Sequence, residues 1–195
     1  IGRDQAYIGV MIDDLVTKGT EEPYRMFTSR AEHRLVLRAD NADQRLTPLA
    51  IELGIAESAR VERLERKLAA VAECMARLDS IRAADRTGRD LLRRPEATFA
   101  ELAEQYPALG DERFTAEVIR QVEIECKYAG YIEMSRKQID RFRRMEDRPI
   151  PPGFDFAAIA PLRNEAKEKL TRFAPRSIGQ AGRILSTMLL GPDAR

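Results

Sequence analysis

Residues 58–81 read SARVERLERKLAAVAECMARLDSI, and this stretch decides the fold. Its apolar side chains recur in steps of three and four residues, at Val61, Leu64, Leu68, Val71, Met75 and Leu78. Heptad spacing is typical of a helix with one apolar stripe, and charged residues fill the other faces. Three heptads are too few to establish a dimer, so we expect the stripe to pack within the chain. Cys74 lies beside it and is interpreted as structural.

A second long helix is predicted from Thr115, a suitable N-cap, to about Met145. Its apolar positions include Val118, Ile119, Val122, Cys126, Ala129, Ile132, Ile139 and Phe142. Two such helices can pack antiparallel as an arm. Between them we expect a loop over residues 82–97, followed by a helix that opens on the capping box Thr98–Glu101.

Shorter helices are predicted on both sides of the arm. Asp4 can cap a helix to about Lys18 that ends at Gly19 and buries Ile8, Met11, Ile12 and Leu15. Thr47-Pro48 starts another helix, which ends at Gly54. Beyond a Pro-rich linker at 147–153, helices are expected at 156–159, 164–173 and 177–190. The predicted class is therefore all-α, a helical bundle divided into segments 1–57, 58–148 and 149–195, with a small C-terminal helical subdomain.

Composition narrows the possible functions of these 195 residues. Apolar runs are too short for a membrane span, and two cysteines cannot form a disulfide framework. With His33 as the single histidine and no Gly-rich phosphate loop, no catalytic constellation or metal site is expected. Residues 1–133 carry a net charge of −5 and residues 134–195 a net charge of +6. The basic C-terminal third indicates either an anionic partner or a solvated helical surface.

The densest motif-like segment of the chain runs from Glu22 to Thr47 and carries five arginines. Ser29 and Glu32 have capping-box spacing, which predicts a short helix with Arg30 and Arg34 on one face. Arginines interleaved with aromatic residues are typical of RNA-binding surfaces, and the set comprises Arg25, Arg30, Arg34, Arg38 and Arg45. The alternative is that Glu32, Asp40 and Asp43 pair with these arginines and hold a tight turn.

Blocks of sequence spread over essentially the whole chain carry a family resemblance. They are GRDQAY (2–7), EPYRMFTSRAE (22–32), DNAD (40–43), RLT (45–47), DLLRRPE (90–96), QVEIE (121–125), KYAGYI (127–132) and SIGQAGRI (177–184). In this order they closely resemble the MnmG (GidA) family, the FAD-binding subunit of the tRNA wobble-uridine modification enzyme.

The resemblance implies the C-terminal part of that subunit. In the family, the FAD and nicotinamide sites and the proposed reactive cysteines lie upstream, so this chain is expected to be inactive alone and to hold no cofactor. The full-length protein would be a cytoplasmic homodimer that uses FAD, NADH, methylene-tetrahydrofolate and GTP. It would add an aminomethyl or carboxymethylaminomethyl group to C5 of the wobble uridine.

The same resemblance assigns roles to two sets of residues. The five arginines would bind tRNA. The C-terminal end would dock the GTPase partner MnmE, and the expected partner-binding residues there are Ser177, Gln180 and Arg183. The competing hypothesis is a helical protein-interaction module that uses the stripe at 61–78 and makes no direct RNA contact.

The chain departs from the family pattern in two places. The stretch before the 90–96 block is short, at residues 83–89, and Arg183-Ile184 is not followed by the family's Gly-x-Thr-Pro turn. Either this protein has two deletions or segments are missing from the sequence, and we favour the second explanation.

Overall fold

The computed structural model describes residues 1–18 and 23–189, and these are predominantly helical. The helices are α1 (Tyr7–Lys18), α2 (Ala42–Glu52), α3 (Ser58–Ser80), α4 (Gly88–Leu92), α5 (Phe99–Gln105), α6 (Ala116–Lys127), α7 (Ala129–Glu146), α8 (Asn164–Phe173) and α9 (Ile178–Leu189). Short 3₁₀ turns occur at Thr28–Arg30 and Pro107–Leu109, and strands β1 (Arg82–Ala83) and β2 (Arg86–Thr87) pair antiparallel. The expected all-α class is confirmed. In the part of the chain that is described, no helix is long and apolar enough to cross a membrane.

The chain divides into two compact units. Unit 1 comprises Ile1–Arg34 and Ser135–Arg195, and unit 2 is the continuous segment Leu35–Met134. The second boundary falls inside α7. This division differs from the predicted segments 1–57, 58–148 and 149–195, because the first 34 residues share a unit with the C-terminal third.

Unit 2 is built around α3, which packs against α2, α4 and α6. Leu64, Val71 and Leu78 of the heptad stripe are buried, whereas Leu68 is 42% exposed. The stripe therefore packs within the chain, as expected. Cys74 and Cys126 are also fully buried in this core, where burial raises the pKa of both thiols, that of Cys74 to about 12.

Local capping signals in unit 2 are confirmed where the sequence shows them. Thr98 and Glu101 form the predicted capping box, and the Thr115 hydroxyl accepts the Val118 backbone N–H. The predicted loop at 82–97 is wrong in its first half, which contains the β1–β2 hairpin and α4. There Asp90 takes the reciprocal capping position opposite Thr87 that Glu or Gln usually fills.

The predicted second long helix is also wrong in extent. The helix is interrupted at Tyr128, whose φ of −106° and ψ of 14° end α6 before α7 begins. The apolar spacing continues through the junction, so periodicity gives no sign of the break. Likewise, α2 begins five residues before the predicted start and carries Pro48 in its interior.

Lys67 is a buried cation in unit 2 that the sequence analysis does not single out. It projects from α3, only 6% exposed. Its ammonium donates to Glu117 Oε1 at 2.6 Å, to Asp43 Oδ2 at 2.9 Å and to the Asp40 carbonyl at 2.8 Å. Burial works to lower the pKa of Lys67, but the two carboxylates more than offset it and hold that pKa above its ordinary value.

In unit 1, α1 buries a different face from the one predicted. The side chains of Val10, Asp14 and Thr17 on α1 are buried, each at most 3% exposed. Three of the four expected core residues face out, since Ile8, Ile12 and Leu15 are at least 40% exposed. The physical reason lies in Asp14, whose carboxylate finds cationic and hydroxyl partners inside the unit. The predicted stop at Gly19 lies outside the described residues.

The C-terminal part of unit 1 has a small core of Phe156, Leu170 and Ile184. Helix α8 matches its prediction, but residues 156–159 form turns rather than a helix. The predicted linker is a paired segment, because Ile150 N–H donates to the Arg176 carbonyl at 2.9 Å and Ile178 N–H to the Arg148 carbonyl at 3.0 Å. The predicted end of α9 at Leu190 lies outside the described residues.

Candidate nucleic-acid interface

A buried carboxylate, Asp14, organises the first half of the arginine-rich segment. It is 1% exposed and accepts hydrogen bonds from the Tyr24 hydroxyl at 2.9 Å and from Arg3 Nη1 at 2.8 Å. Arg30 Nη1 lies 3.4 Å from the same carboxylate, and its guanidinium stacks 5.1 Å from the Tyr24 ring centroid. Burial, followed by the charge of Asp14, raises the pKa of Tyr24. Asp14 thus fixes Arg30 and Tyr24 as one assembly.

Arg3 is the second organiser of this region. It binds both oxygens of Glu32 at 2.8 and 2.9 Å and donates to the Arg30 carbonyl at 3.0 Å. Burial works to raise the pKa of Glu32, but the bonds from Arg3 more than offset it and hold that pKa below its ordinary value. Glu32 therefore neutralises Arg3 rather than any of the five candidate arginines. No sequence pattern distinguishes Arg3 or Asp14 as a site residue, although Arg3 lies in the block at 2–7.

The predicted helix for Arg30 and Arg34 does not form. Thr28–Arg30 is a single 3₁₀ turn that begins after Phe27 without a side-chain cap, and residues 32–36 continue as turns. Arg30 and Arg34 therefore do not share a helix face. The side chain of Ser29, the predicted cap, lies outside what the structure describes.

Two of the five arginines are exposed. Arg25 lies 5.5 Å from the ring centroid of Phe27, and that ring is itself 51% exposed. Arg34 projects from the turn that follows. Neither residue forms an ion pair with any side chain in the described ranges. Both guanidinium groups are accordingly available to a ligand, and the open face of Phe27 can stack on a base.

The other two arginines belong to unit 2 and hold a turn. Arg38 binds Asp40 through Nε at 3.0 Å and Nη2 at 3.0 Å, and it also donates to the Leu35 carbonyl. Arg45 donates to Asn41 Oδ1 at 3.0 Å and to the Arg38 carbonyl at 2.9 Å. Arg38 thus makes the pair with Asp40 that the tight-turn hypothesis predicts, whereas Arg45 bonds to an amide and a backbone carbonyl. Asp43, the third expected counter-charge, binds Lys67 instead.

The three residues expected to meet a protein partner are engaged within unit 1. The Ser177 hydroxyl donates to Glu146 Oε2 at 2.8 Å and accepts the Gln180 backbone N–H at 3.1 Å, so Ser177 is the N-cap of α9. Gln180 Oε1 accepts the Arg176 backbone N–H at 2.7 Å. Arg183, with a side chain 14% exposed, pairs with Asp13 of α1 and with Glu146.

His33 is a buried histidine near this network. It is 4% exposed and packs edge-on against Phe142, with ring centroids 5.8 Å apart. Its Nδ1 has no hydrogen-bond partner among the described residues. Burial lowers the pKa of His33, so the neutral imidazole is the favoured form. In the described ranges, no group of three or more His, Cys, Asp or Glu residues is placed to hold a metal ion.

Comparisons with known proteins agree with the helical architecture. Residues 58–136 match the tRNA modifying enzyme MnmG/GidA C-terminal helical domain, and residues 138–186 match the MnmG/GidA C-terminal helical bundle. The gap between the two matches lies within a few residues of the unit boundary in α7.

Sequence and structure relatives point to the same family. The chain is 51% identical to the tRNA uridine 5-carboxymethylaminomethyl modification enzyme MnmG of Roseiflexus sp. (strain RS-1), over 93% of the chain and 29% of that protein. It is 50% identical to MnmG of Rhodopirellula baltica, over 93% and 28%. Aquifex aeolicus GidA superposes with a TM-score of 0.73 at 36% identity, over 98% of this chain and 33% of that one.

The chain spans about a third or less of the length of these relatives. Its blocks, its helices and both domain matches coincide with the C-terminal helical part of that longer protein. The chain therefore belongs to the MnmG/GidA family of tRNA-modifying enzymes, as a C-terminal helical portion of the protein.

Proposed function

We propose that this chain is the tRNA-binding and partner-docking region of an enzyme subunit that modifies C5 of the wobble uridine. The observation that carries the proposal is the exposed set Arg25, Phe27 and Arg34, held beside the Asp14-anchored Arg30 and Tyr24. Guanidinium groups bind phosphate oxygens, and an exposed ring stacks on an unpaired base. The names of the relatives as tRNA modification enzymes support the same assignment.

Within the proposed tRNA site, the five arginines have different roles. Arg25, Arg30 and Arg34 contact tRNA. Arg38 and Arg45 keep the neighbouring turn in shape, because their guanidinium groups are already bonded to Asp40, Asn41 and backbone carbonyls.

Salt titration of tRNA binding tests this division. Arg25→Ala and Arg34→Ala should each weaken binding and lower the slope of log affinity against log salt by about 0.7 to 0.9, the loss of one phosphate contact. Arg60→Ala removes an equally exposed arginine on α3 and serves as the control for net charge. Arg38→Ala should lower the melting temperature instead. An unchanged salt slope in the Arg25 and Arg34 variants would show that the segment does not bind tRNA.

Docking of MnmE is assigned to the C-terminal helices. Since Ser177, Gln180 and Arg183 are bonded within unit 1, their part is to hold α9 in position for the partner. Ser177→Ala should therefore weaken MnmE binding only as far as it loosens α9. If Ser177→Ala weakened MnmE binding without changing the melting temperature, Ser177 would instead contact MnmE directly.

The flavin and NADH of the whole enzyme are assigned to other parts of the protein. The described strands form only the short antiparallel β1–β2 hairpin, and no described strand leads through a Gly-rich loop into a helix, as a dinucleotide site requires. These residues do not fit a flavin site. We expect the purified chain to show no flavin absorbance, whereas the full-length protein, a homodimer, would bind FAD.

The competing hypothesis, a protein-interaction module that uses the stripe at 61–78, has little support because little of the stripe is exposed to a partner. Its buried members are Leu64, Val71 and Leu78, which already pack inside unit 2.

A further inference from the structure

Helix α7 and the residue pair after it carry a row of cations that no candidate site above includes. Lys137, Arg141, Arg144 and Arg148 are all exposed and lie within unit 1. They follow one another at intervals of four, three and four residues. At about 100° per residue, this spacing keeps the three cations on α7 within about 60° of arc on the helix surface, and Arg148 follows two residues after the helix ends.

The structure shows that these four side chains border one surface groove. The groove has a volume of about 370 Å³ and is lined by Lys137, Asp140, Arg141, Arg144, Met145 and Arg148. Asp140 supplies the one carboxylate of this lining. Arg141, Arg144 and Arg148 form no ion pair with any described residue. These three arginines therefore give the groove a cationic wall.

The spacing indicates the kind of partner. The three cations on α7 span about 10 Å at about 1.5 Å per residue, and Arg148 lies beyond the helix end, so the four groups are spread along the groove rather than gathered around one small anion. A polymer whose negative charges repeat at regular intervals satisfies such a row, and guanidinium forks suit phosphate oxygens.

We propose that the groove bordered by Lys137, Arg141, Arg144 and Arg148 binds the phosphate backbone of tRNA and positions it on unit 1. This inference rests on the proposed function, and it adds a second, separate contact surface to the one at Arg25–Arg34. The described lining contains no aromatic ring, in contrast to Phe27 and Tyr24 at the first surface. No ring is present here to stack on a base, so we expect contact with the backbone and no dependence of sequence preference on this groove.

A helix-terminus role is the main structural alternative. Cations in the last turn of a helix interact favourably with its carbonyl end, and Arg144 lies in the last turn of α7. That explanation does not extend to Lys137 and Arg141, which lie further from the helix end. It predicts lost stability without any change in RNA affinity.

The test compares two fourfold variants of the whole chain. One carries Lys137→Gln, Arg141→Gln, Arg144→Gln and Arg148→Gln, and its matched control carries Arg60→Gln, Arg63→Gln, Arg163→Gln and Arg172→Gln, four exposed arginines outside both surfaces. Gln keeps helix propensity close to that of Arg and Lys. Affinity for an unmodified tRNA is measured over a salt series, and circular dichroism monitors folding.

The groove variant should bind tRNA at least about tenfold more weakly and lower the salt slope by about three, while the control keeps most of its slope. The loss should be equal for tRNAs of different anticodon sequence. An Arg141→Glu variant, which keeps three cations, should weaken binding more than Arg141→Gln.

The outcomes separate the two proposals. If the unaltered chain binds tRNA and the folded groove variant keeps the same affinity and slope, the groove assignment is wrong and the proposed function stands. If the unaltered chain does not bind tRNA at low salt, both fail. If only the groove variant loses binding while Arg25→Ala and Arg34→Ala do not, the groove is the RNA surface and the arginine segment is not.

Discussion

Arg183 on α9 holds Asp13 on α1 through a paired contact across 170 residues of sequence, with Nη2 to Oδ1 and Nε to Oδ2 both at 3.0 Å. The same guanidinium also reaches Glu146 at the end of α7. Asp13 in turn accepts Arg3 at 3.0 Å. One side chain therefore joins three helices of unit 1, and this explains why Arg183 is 86% withdrawn from solvent although it is charged.

We expect Arg183→Ala to lower the free energy of unfolding of unit 1 by about 2 kcal/mol, because it strips hydrogen bonds from two carboxylates. Arg183→Lys should recover only part of this loss, since an ammonium cannot reproduce the two-pronged contact. Urea titration followed by circular dichroism measures both. Equal stability of the Lys variant and the unaltered chain would contradict the assigned geometry.

His33 should make stability depend on pH. Its folded pKa lies below the ordinary value of 6.5, so the unfolded chain takes up a proton first as the pH falls. Stability should therefore decrease as the pH drops below about 6.5 and should be fully present above it. Glu32 contributes stability that is lost at lower pH, below about 4.5, because its pKa in the folded chain lies below the ordinary value of 4.5.

Melting temperatures measured over this range would test the role of His33. His33→Leu should remove the decrease in melting temperature just below pH 6.5. The further decrease at lower pH, where carboxylates are protonated, should remain. The same decrease in the variant as in the unaltered chain would assign the pH dependence to other groups.

Asp43 and Glu117 should substitute for one another as partners of the buried Lys67. Each single change, Asp43→Asn or Glu117→Gln, leaves one carboxylate on the ammonium and should cost little. The double variant leaves the buried cation without a counter-charge, so its loss should exceed the sum of the single losses by about 1 kcal/mol. Repeating the cycle in a Lys67→Met background should abolish that excess, and an excess that persists there would show that Lys67 is not its source.

Cys74 and Cys126 should be inert in the folded chain. Both are at most 1% exposed and have raised thiol pKa values, that of Cys126 at about 11, so little thiolate exists at neutral pH. A thiol-specific reagent should label neither residue until denaturant is added, and then both. Rapid labelling of a folded sample would show that unit 2 opens readily around α3 and α6.

The parts of the fold that local sequence could predict are those in which neighbours along the chain decide the outcome. The stripe in α3 and the capping box at Thr98 depend only on spacing, and both appear as expected. The face of α1 does not: Asp14 is buried because Arg3, Tyr24 and Arg30 surround it, and none of these lies on the helix. Hydrophobic pattern alone assigns Asp14 to the surface and Ile12 to the core.

The roles of the candidate site residues could be predicted only in part, because they also depend on contacts between residues distant in the sequence. The five arginines are recognisable in the sequence, but their short separation along the chain makes them look like one cluster. Their partners distinguish them: Arg38 has Asp40 within two residues, whereas Arg25 and Arg34 have no described carboxylate in reach. In the sequence, the four cations at 137–148 contribute to the net charge of the C-terminal third, and the structure adds that they border one groove.

The discontinuous composition of unit 1 has a consequence for the order of events during synthesis. Unit 2 is complete once Met134 has left the ribosome, so its core around α3 can form while translation continues. Unit 1 cannot complete its fold at that point, because Asp13 and Glu146 form ion pairs with Arg183, which has not yet been synthesised. Helix α1 therefore lacks its contact with Arg183 throughout this interval, and a translational pause before residue 183 would lengthen the time for which a chaperone could bind the open unit.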